Sequence, residues 1–175
     1  MKETMLFLDQ VETPIGRIAV IADDDGRLRA AGWTEGHSRM ERLYSARRAA
    51  LRPASNPGGL TAAFRAYFAG ELTALDAVPL AIEGGSAFQH DVWQTLRRIP
   101  CGETRSYAEV ARMAGHPSAV RAVGLAAGAN PIAVVLPCHR VIGSNGSLTG
   151  YGGGLERKRW LLSHEGWGDS LRFAP

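Results

Sequence analysis

The sequence predicts an α+β fold, with a small N-terminal α/β domain over residues 1–84 and a mostly helical domain over residues 85–175. Three observations predict it. Extended, β-branched segments crowd the first third, and helical spacings fill the second half. The loosest stretch, Glu83-Gly84-Gly85-Ser86, lies between them. A chain of 175 residues has room for one large core or two small ones.

Taken in order, Arg17 to Ala22 is a strand pattern, Asp23-Asp24-Asp25-Gly26 has turn chemistry, and Leu28 to Trp33 resumes an extended run. From His37 to Leu51 the composition turns helical, with Met40, Leu43 and Tyr44 on one face. Pro53 to Gly59 reads as a loop, and Leu60 to Phe68 as a helix stopped by Ala69-Gly70. Pro79 to Ser86 reads as a linker. Beyond it, Phe88 to Arg98 places Phe88, Val92, Trp93 and Leu96 on one helical face. Ser106 to Ala114 is a short helix broken at Gly115-His116-Pro117. Ser118 has the chemistry of an N-cap for a further helix ending near Ala127. Leu155 to Ser163 forms the last helix. The pair Ser106–Ala114 and Ser118–Ala127, joined by a tight turn, is a helix-turn-helix pattern, which occurs both in DNA-binding proteins and in proteins that never touch DNA.

The net charge is +3 and unevenly placed. The first 84 residues carry 10 Lys and Arg against 11 Asp and Glu, the remainder 10 against 6. A basic C-terminal half suits a phosphate-bearing partner as well as it suits a solvated surface. No stretch is long and apolar enough to span a bilayer. Asp9 and Glu12 follow a very short apolar run near the start, a poor secretion signal, so a cytoplasmic protein is expected. Two cysteines, Cys101 and Cys138, cannot build a cysteine-rich zinc site or a disulfide framework. His37, His90, His116 and His164 show no metal-ligand spacing, and no metal or cofactor is expected.

Ile132-Ala133-Val134-Val135-Leu136 is a buried-strand pattern running into Pro137-Cys138-His139-Arg140. Pro137 is suited to the first position of a helical turn. That places Cys138 in the first turn after a core strand, where free N–H groups, His139 and Arg140 would favour the thiolate and depress its pKa. A small buried hydrophobe is the competing reading of Cys138. Cys101, between Pro100 and Gly102, reads as structural. The run Gly152-Gly153-Gly154 is no phosphate loop, since neither a preceding strand nor a following Lys-Ser/Thr is present.

Pro137-Cys138-His139-Arg140-Val141 resembles the active-site signature of the O6-alkylguanine-DNA alkyltransferases, the methylated-DNA–protein-cysteine methyltransferases. Phe88, Trp93, Ile99-Pro100-Cys101-Gly102, Thr104 and Tyr107 are similar to the family's approach to the helix-turn-helix. Arg121-Ala122-Val123-Gly124, Asn130-Pro131, Gly150 to Gly154 and Leu161 to Gly166 follow in family order. The resemblance covers nearly all of residues 86–175 and reaches back to Asn56-Pro57-Gly58-Gly59-Leu60 and Tyr67-Phe68-Ala69-Gly70.

The resemblance implies DNA repair by irreversible, single-turnover transfer of an alkyl group from O6-alkylguanine to Cys138. O4-alkylthymine and the preferred alkyl size stay open. It implies that His139 acts as base through a water, that Glu165 orients His139, and that Asn130 fixes the turn beside the cysteine. It further implies that Tyr107 donates to the departing guanine and helps to rotate the nucleotide outward. By the same resemblance Arg121 would fill the emptied stack, with Ser118 beside it at the DNA, and Tyr151, Gly152 and Gly153 would line the alkylguanine pocket. The partner implied is double-stranded DNA bound through the minor groove; a monomer is expected, with a winged-helix-like C-terminal domain and the N-terminal domain as support. A lesion-binding module without chemistry and a Cys-His hydrolase are the competing functions.

Overall fold

In the computed structural model of the chain, residues 3–35 and 50–167 are described. They divide into two compact units. One runs to Glu83 and also takes in Pro131–Val135; the other comprises Gly84–Asn130 and the chain from Leu136 onward.

The first unit is built on a four-stranded sheet: β1 (Leu6–Thr13), β2 (Gly16–Asp23), β3 (Leu28–Trp33) and β4 (Leu51–Pro53), in the order β3-β2-β1-β4. β1 and β2 form an antiparallel hairpin closed at Thr13 and Gly16, and β4 pairs with β1 in parallel. From Ile18 to Asp23 the inner strand β2 is wholly buried, as its aliphatic run requires. The acidic turn after β2 is held by the buried Asp23 carboxylate. It accepts from the N–H groups of Asp25 and Arg27 at 3.0 and 2.9 Å and from Nε of Arg27 at 2.9 Å. The outer edge of β3 is not left open. Leu28 bonds on both sides of Leu80, to Pro79 O and Ala81 N, and Ala31 bonds on both sides of Ile132, to Pro131 O and Ala133 N. Helix α1 (Leu60–Phe68) packs on β1 and β2 through Leu60, Phe64 and Tyr67.

One reading changes here. Pro79 to Ala81, read as linker, is bound along β3. The helix expected from His37 to Leu51 lies outside the described residues, apart from Ala50 and Leu51, the second of which belongs to β4.

The second unit holds α2 (Ala87–Arg97), α3 (Tyr107–Met113), α4 (Val120–Gly128) and α5 (Leu155–His164), with a two-residue parallel pairing of β5 (Arg105–Ser106) and β6 (Val141–Ile142). Ser86 and Ser106 each close a capping box, with Gln89 and Glu109, so α2 and α3 start where those side chains satisfy free N–H groups. Helices α2, α3 and α4 pack on one another, and Trp93 of α2 donates from Nε1 to Ala126 O of α4 at 2.9 Å. α3 and α4 form the helix-turn-helix. The mixed α+β class expected from the sequence is the class observed.

Ser118 does not cap α4. The Ala119 N–H closes a turn onto His116 O at 3.0 Å, with Pro117 and Ser118 at its centre. The first helical bond then runs from Val123 N–H to Ala119 O, so Ala119 is the N-cap, without a side-chain cap bond.

Nor is Ile132–Leu136 a strand. Only Ile132 pairs, with Ala31. Val135 N–H then bonds Ala133 O at 2.9 Å around Val134, whose φ is 71°. This i to i+2 turn puts a β-branched residue in the left-handed region, a strained arrangement. Ile132, Val134, Val135 and Leu136 are all buried, so the run satisfies its hydrophobicity without a ladder.

Phe64 is fully buried in the first unit. Phe64→Ala is expected to cost about 3–5 kcal/mol of unfolding free energy, read from urea denaturation. A loss under about 1 kcal/mol would show that α1 does not anchor that core.

Candidate active site

Cys138, His139 and Arg140 form a single 3-10 turn directly after Pro137. Pro137 sits at φ −82° and ψ 65°, and Cys138 N–H bonds Leu136 O at 2.8 Å, so the chain enters the turn through an inverse γ-turn. Asn130, two residues past α4, locks this bend. Its Nδ2 donates to Leu136 O at 2.6 Å and lies 3.2 Å from the sulfur of Cys138, within reach of a hydrogen bond to sulfur.

The next two residues are pinned from the far side. His139 is wholly buried, and its Nε2 lies 2.9 Å from Oε1 of Glu165, the residue that ends α5. Arg140 grips the same carboxylate with two N–H groups, Nε to Oε2 at 2.8 Å and Nη2 to Oε1 at 2.7 Å. Its Nη1 donates to Ile99 O at 2.6 Å. This is the paired geometry in which Arg binds a carboxylate best. With Nε2 directed to Glu165, the neutral imidazole carries its proton there. Nδ1, which has no hydrogen-bond partner among the described residues, is left as the acceptor.

The electrostatics follow from this packing. Burial opposes ionisation of Glu165, but hydrogen bonds and charge from His139 and Arg140 prevail and hold its carboxyl far below the ordinary 4.5. For His139, burial outweighs the pull of Glu165, so the imidazole titrates below 6.5 and is neutral at neutral pH. Burial likewise pushes the Cys138 thiol above its ordinary 9.0, against the Asn130 hydrogen bond, the charge of Lys158 and its own N–H. A depressed thiol pKa, expected from the sequence, is therefore not what the resting site has. Cys138 N–H is shared with Leu136 O, Arg140 is committed to Glu165, and a single 3-10 turn has little dipole to offer.

Lys158 was not singled out from the sequence. It is fully buried in α5, and its Nζ donates to Thr149 O and Gly150 O at 3.1 Å each. Nζ also lies 5.9 Å from the centre of the Tyr107 ring. Burial brings its pKa down to about 8. Its one sequence signal is position: three and four residues before the buried Leu161 and Leu162, it shares their helix face.

Tyr107, the first residue of α3, donates to Thr149 O at 3.0 Å, and burial raises its pKa. Tyr151 is held well above 10 by burial and by the nearby Cys138. Gly154 N–H bonds Tyr151 O at 2.9 Å, with Gly152 and Gly153 at the centre of that turn. Cys138, His139, Glu165 and Asn130 are thus joined by direct contacts, and Tyr107 and Tyr151 are electrostatic neighbours of the thiol. Arg121 and Ser118 are exposed, and no hydrogen bond or ion pair among the described residues ties them to that group. Ala126 and Ala127 of α4 are buried packing residues, whereas Ala122 and Gly128 are exposed.

Fold and site together define a helix-turn-helix protein built around a half-buried cysteine and a buried histidine and glutamate. Comparison with known proteins makes the assignment specific. Residues 6–82 match the family described as 6-O-methylguanine DNA methyltransferase, ribonuclease-like domain, and residues 87–167 match its DNA binding domain. A methylated-DNA–protein-cysteine methyltransferase of Shigella flexneri is 49% identical over 166 residues, covering 93% of this chain and 96% of that protein. The corresponding Mycobacterium tuberculosis protein is 47% identical, with 92% and 93% covered. The crystal structure of Mycobacterium tuberculosis OGT in complex with DNA is similar, with a TM-score of 0.77 at 44% identity, over 91% of this chain and 92% of that one. The chain belongs to the methylated-DNA–protein-cysteine methyltransferase family.

The depressed Glu165 pKa makes stability depend on pH with a definite sign. The carboxylate's contribution is complete above its unfolded value, near 4.5, and is lost as pH falls towards the folded value. His139, also depressed, adds loss in the same direction below 6.5. Urea unfolding across this range is expected to show both losses in the wild type and only the upper one in Glu165→Gln. That variant also costs about 3–5 kcal/mol at neutral pH, because Arg140 keeps its charge without its partner. An acid profile unchanged from the wild type would contradict the assignment.

Proposed function

We propose that this chain repairs DNA by moving an alkyl group from O6 of guanine to Sγ of Cys138, once per molecule. The observation that carries this reading is the arrangement around Cys138. Asn130 stands at the sulfur, and the next residue, His139, is fixed by Glu165 with Nδ1 left to accept a proton.

The step balances within protein and substrate. Sγ bonds to the alkyl carbon as the carbon–O6 bond breaks, and that electron pair stays with the guanine. The thiol proton passes to Nδ1 of His139 through one bridging water, a suitable route because adjacent residues need not face each other. The departing guanine takes a proton from water, and His139 returns the thiol proton to water, so that thiol and alkylguanine become thioether and guanine. Sulfur suits the task because it is soft and strongly nucleophilic. A thiol held protonated by burial makes the base necessary, since little thiolate is present before the substrate arrives. The product thioether is reversed neither by thiol exchange nor by mild hydrolysis, so the protein is consumed.

Tyr107 is the donor to the departing base. Its O–H, directed at Thr149 O, reorients when guanine enters. Tyr151, Gly152 and Gly153 form the pocket wall, and Arg121 replaces the extruded nucleotide in the stack while Ser118 meets the backbone. The chain acts as a monomer in the cytoplasm, through the minor groove of duplex DNA. The division of labour we infer gives residues 85–175 the binding and the chemistry, and residues 1–84 a supporting role.

Cys138→Ala separates this reading from a lesion-binding module. Transfer from an O6-methylguanine duplex is expected to vanish, while Kd for the same duplex changes by about twofold or less, the scale of a substitution that breaks no binding contact. Undiminished transfer in that variant would overturn the proposal.

A further inference from the structure

The exposed face of α4 carries a short stripe. Val123, Ala126 and Ala127 are buried, and on the opposite side Arg121, Leu125 and Gly128 follow at spacings of four and three, so they lie above one another. Leu125 is 74% exposed, far more than any other large hydrophobic residue among those described. A lone exposed leucine on a surface needs no explanation. This one stands in the second helix of a helix-turn-helix, one turn beyond an exposed arginine, on a helix with no carboxylate. Its neighbours are small. Ala122 and Gly128 are exposed beside it, and a Cβ on Gly128 would meet nothing within 4 Å. On the adjoining side, a Cβ on Gly124 would lie 3.8 Å from the Tyr107 ring, so the stripe runs next to the residue assigned to the departing base.

We propose that Leu125 is an apolar DNA contact, packing against the deoxyribose walls of the groove one helical turn from where Arg121 enters. This rests on the reading that the chain binds duplex DNA through α4. Charge complementarity selects the occupant: the one charged side chain of α4 is cationic, so the face attracts phosphate and repels nothing in it. The small flanking residues let the backbone come close enough for a leucine side chain to reach sugar carbons. Arg121 supplies attraction that weakens with salt, and Leu125 supplies contact that does not.

Binding to an undamaged duplex, followed by fluorescence anisotropy over a salt series, tests this. Leu125→Ser is expected to weaken binding about 5- to 20-fold at every salt concentration with the salt slope unchanged, as partial burial of one leucine implies. Leu125→Met, which keeps the apolar bulk, stays within about threefold of wild type. Arg121→Ala lowers the slope by about one unit. Transfer from the free base O6-methylguanine, which needs no duplex, keeps its wild-type rate in both Leu125 variants.

Wild-type affinity in Leu125→Ser, or a change of slope as large as that of Arg121→Ala, overturns the inference while leaving DNA binding intact. Slowed transfer from the free base overturns it too, because Leu125 would then act through the site. Self-association of the wild type that Leu125→Ser abolishes, with DNA affinity unchanged, assigns the face to a second copy and overturns it equally. Failure of the wild type to bind duplex DNA at all defeats the underlying reading instead.

Discussion

The site depends on one carboxylate. Glu165, with no exposed side-chain surface, meets the His139 imidazole and the Arg140 guanidinium in the interior, and ties the turn that bears Cys138 to the end of α5. A buried carboxylate is costly unless it is paired and hydrogen-bonded, and here both oxygens are used. Such a group adds little net stability over an apolar core. Its value is directional, since it allows one imidazole tautomer and one seat for Arg140. Because Cys138, His139 and Arg140 are consecutive, fixing the last two leaves the sulfur little freedom, and Asn130 removes more from the other side.

On the proposed function, this arrangement suits a thiol that is nucleophilic on demand rather than permanently ionised. A standing thiolate would invite oxidation and reaction with any electrophile. On the proposed reading, a half-buried thiol beside a fixed, neutral imidazole waits until a substrate completes the path for its proton. Lys158 lies close enough to favour the thiolate as it forms. It also holds Thr149 O and Gly150 O, the first of which receives the Tyr107 O–H as well. One buried lysine therefore links the charge at the sulfur to the loop that leads into Tyr151.

Much of this was legible in the sequence, for local physical reasons. The β-branched run around Val20, the helix start at Ser106, and the apolar spacing of Val92, Trp93 and Leu96 report on neighbours a few residues away. Cys138, His139, Asn130 and Glu165 came together through a resemblance that already held their long-range geometry. What was not legible depended on tertiary context. Ser118 has cap chemistry, but Pro117 draws it into a turn. Val134 and Val135 have strand propensity, but a tight bend redirects them. Free N–H groups and Arg140 were expected to lower the thiol pKa, but both have partners, and burial decides the sign. Lys158 reads as a solvated helix residue unless its alignment with Leu161 and Leu162 is given weight.

The most direct test of the account is the methyl stoichiometry of the protein itself. After incubation with excess O6-methylguanine duplex, intact-mass and peptide spectra should show a gain of one methylene per molecule. It should reside on the peptide containing Cys138, and repair should stop when every molecule carries it. Continued repair beyond one event per molecule, or a mass gain elsewhere with Cys138 unmodified, would contradict the account.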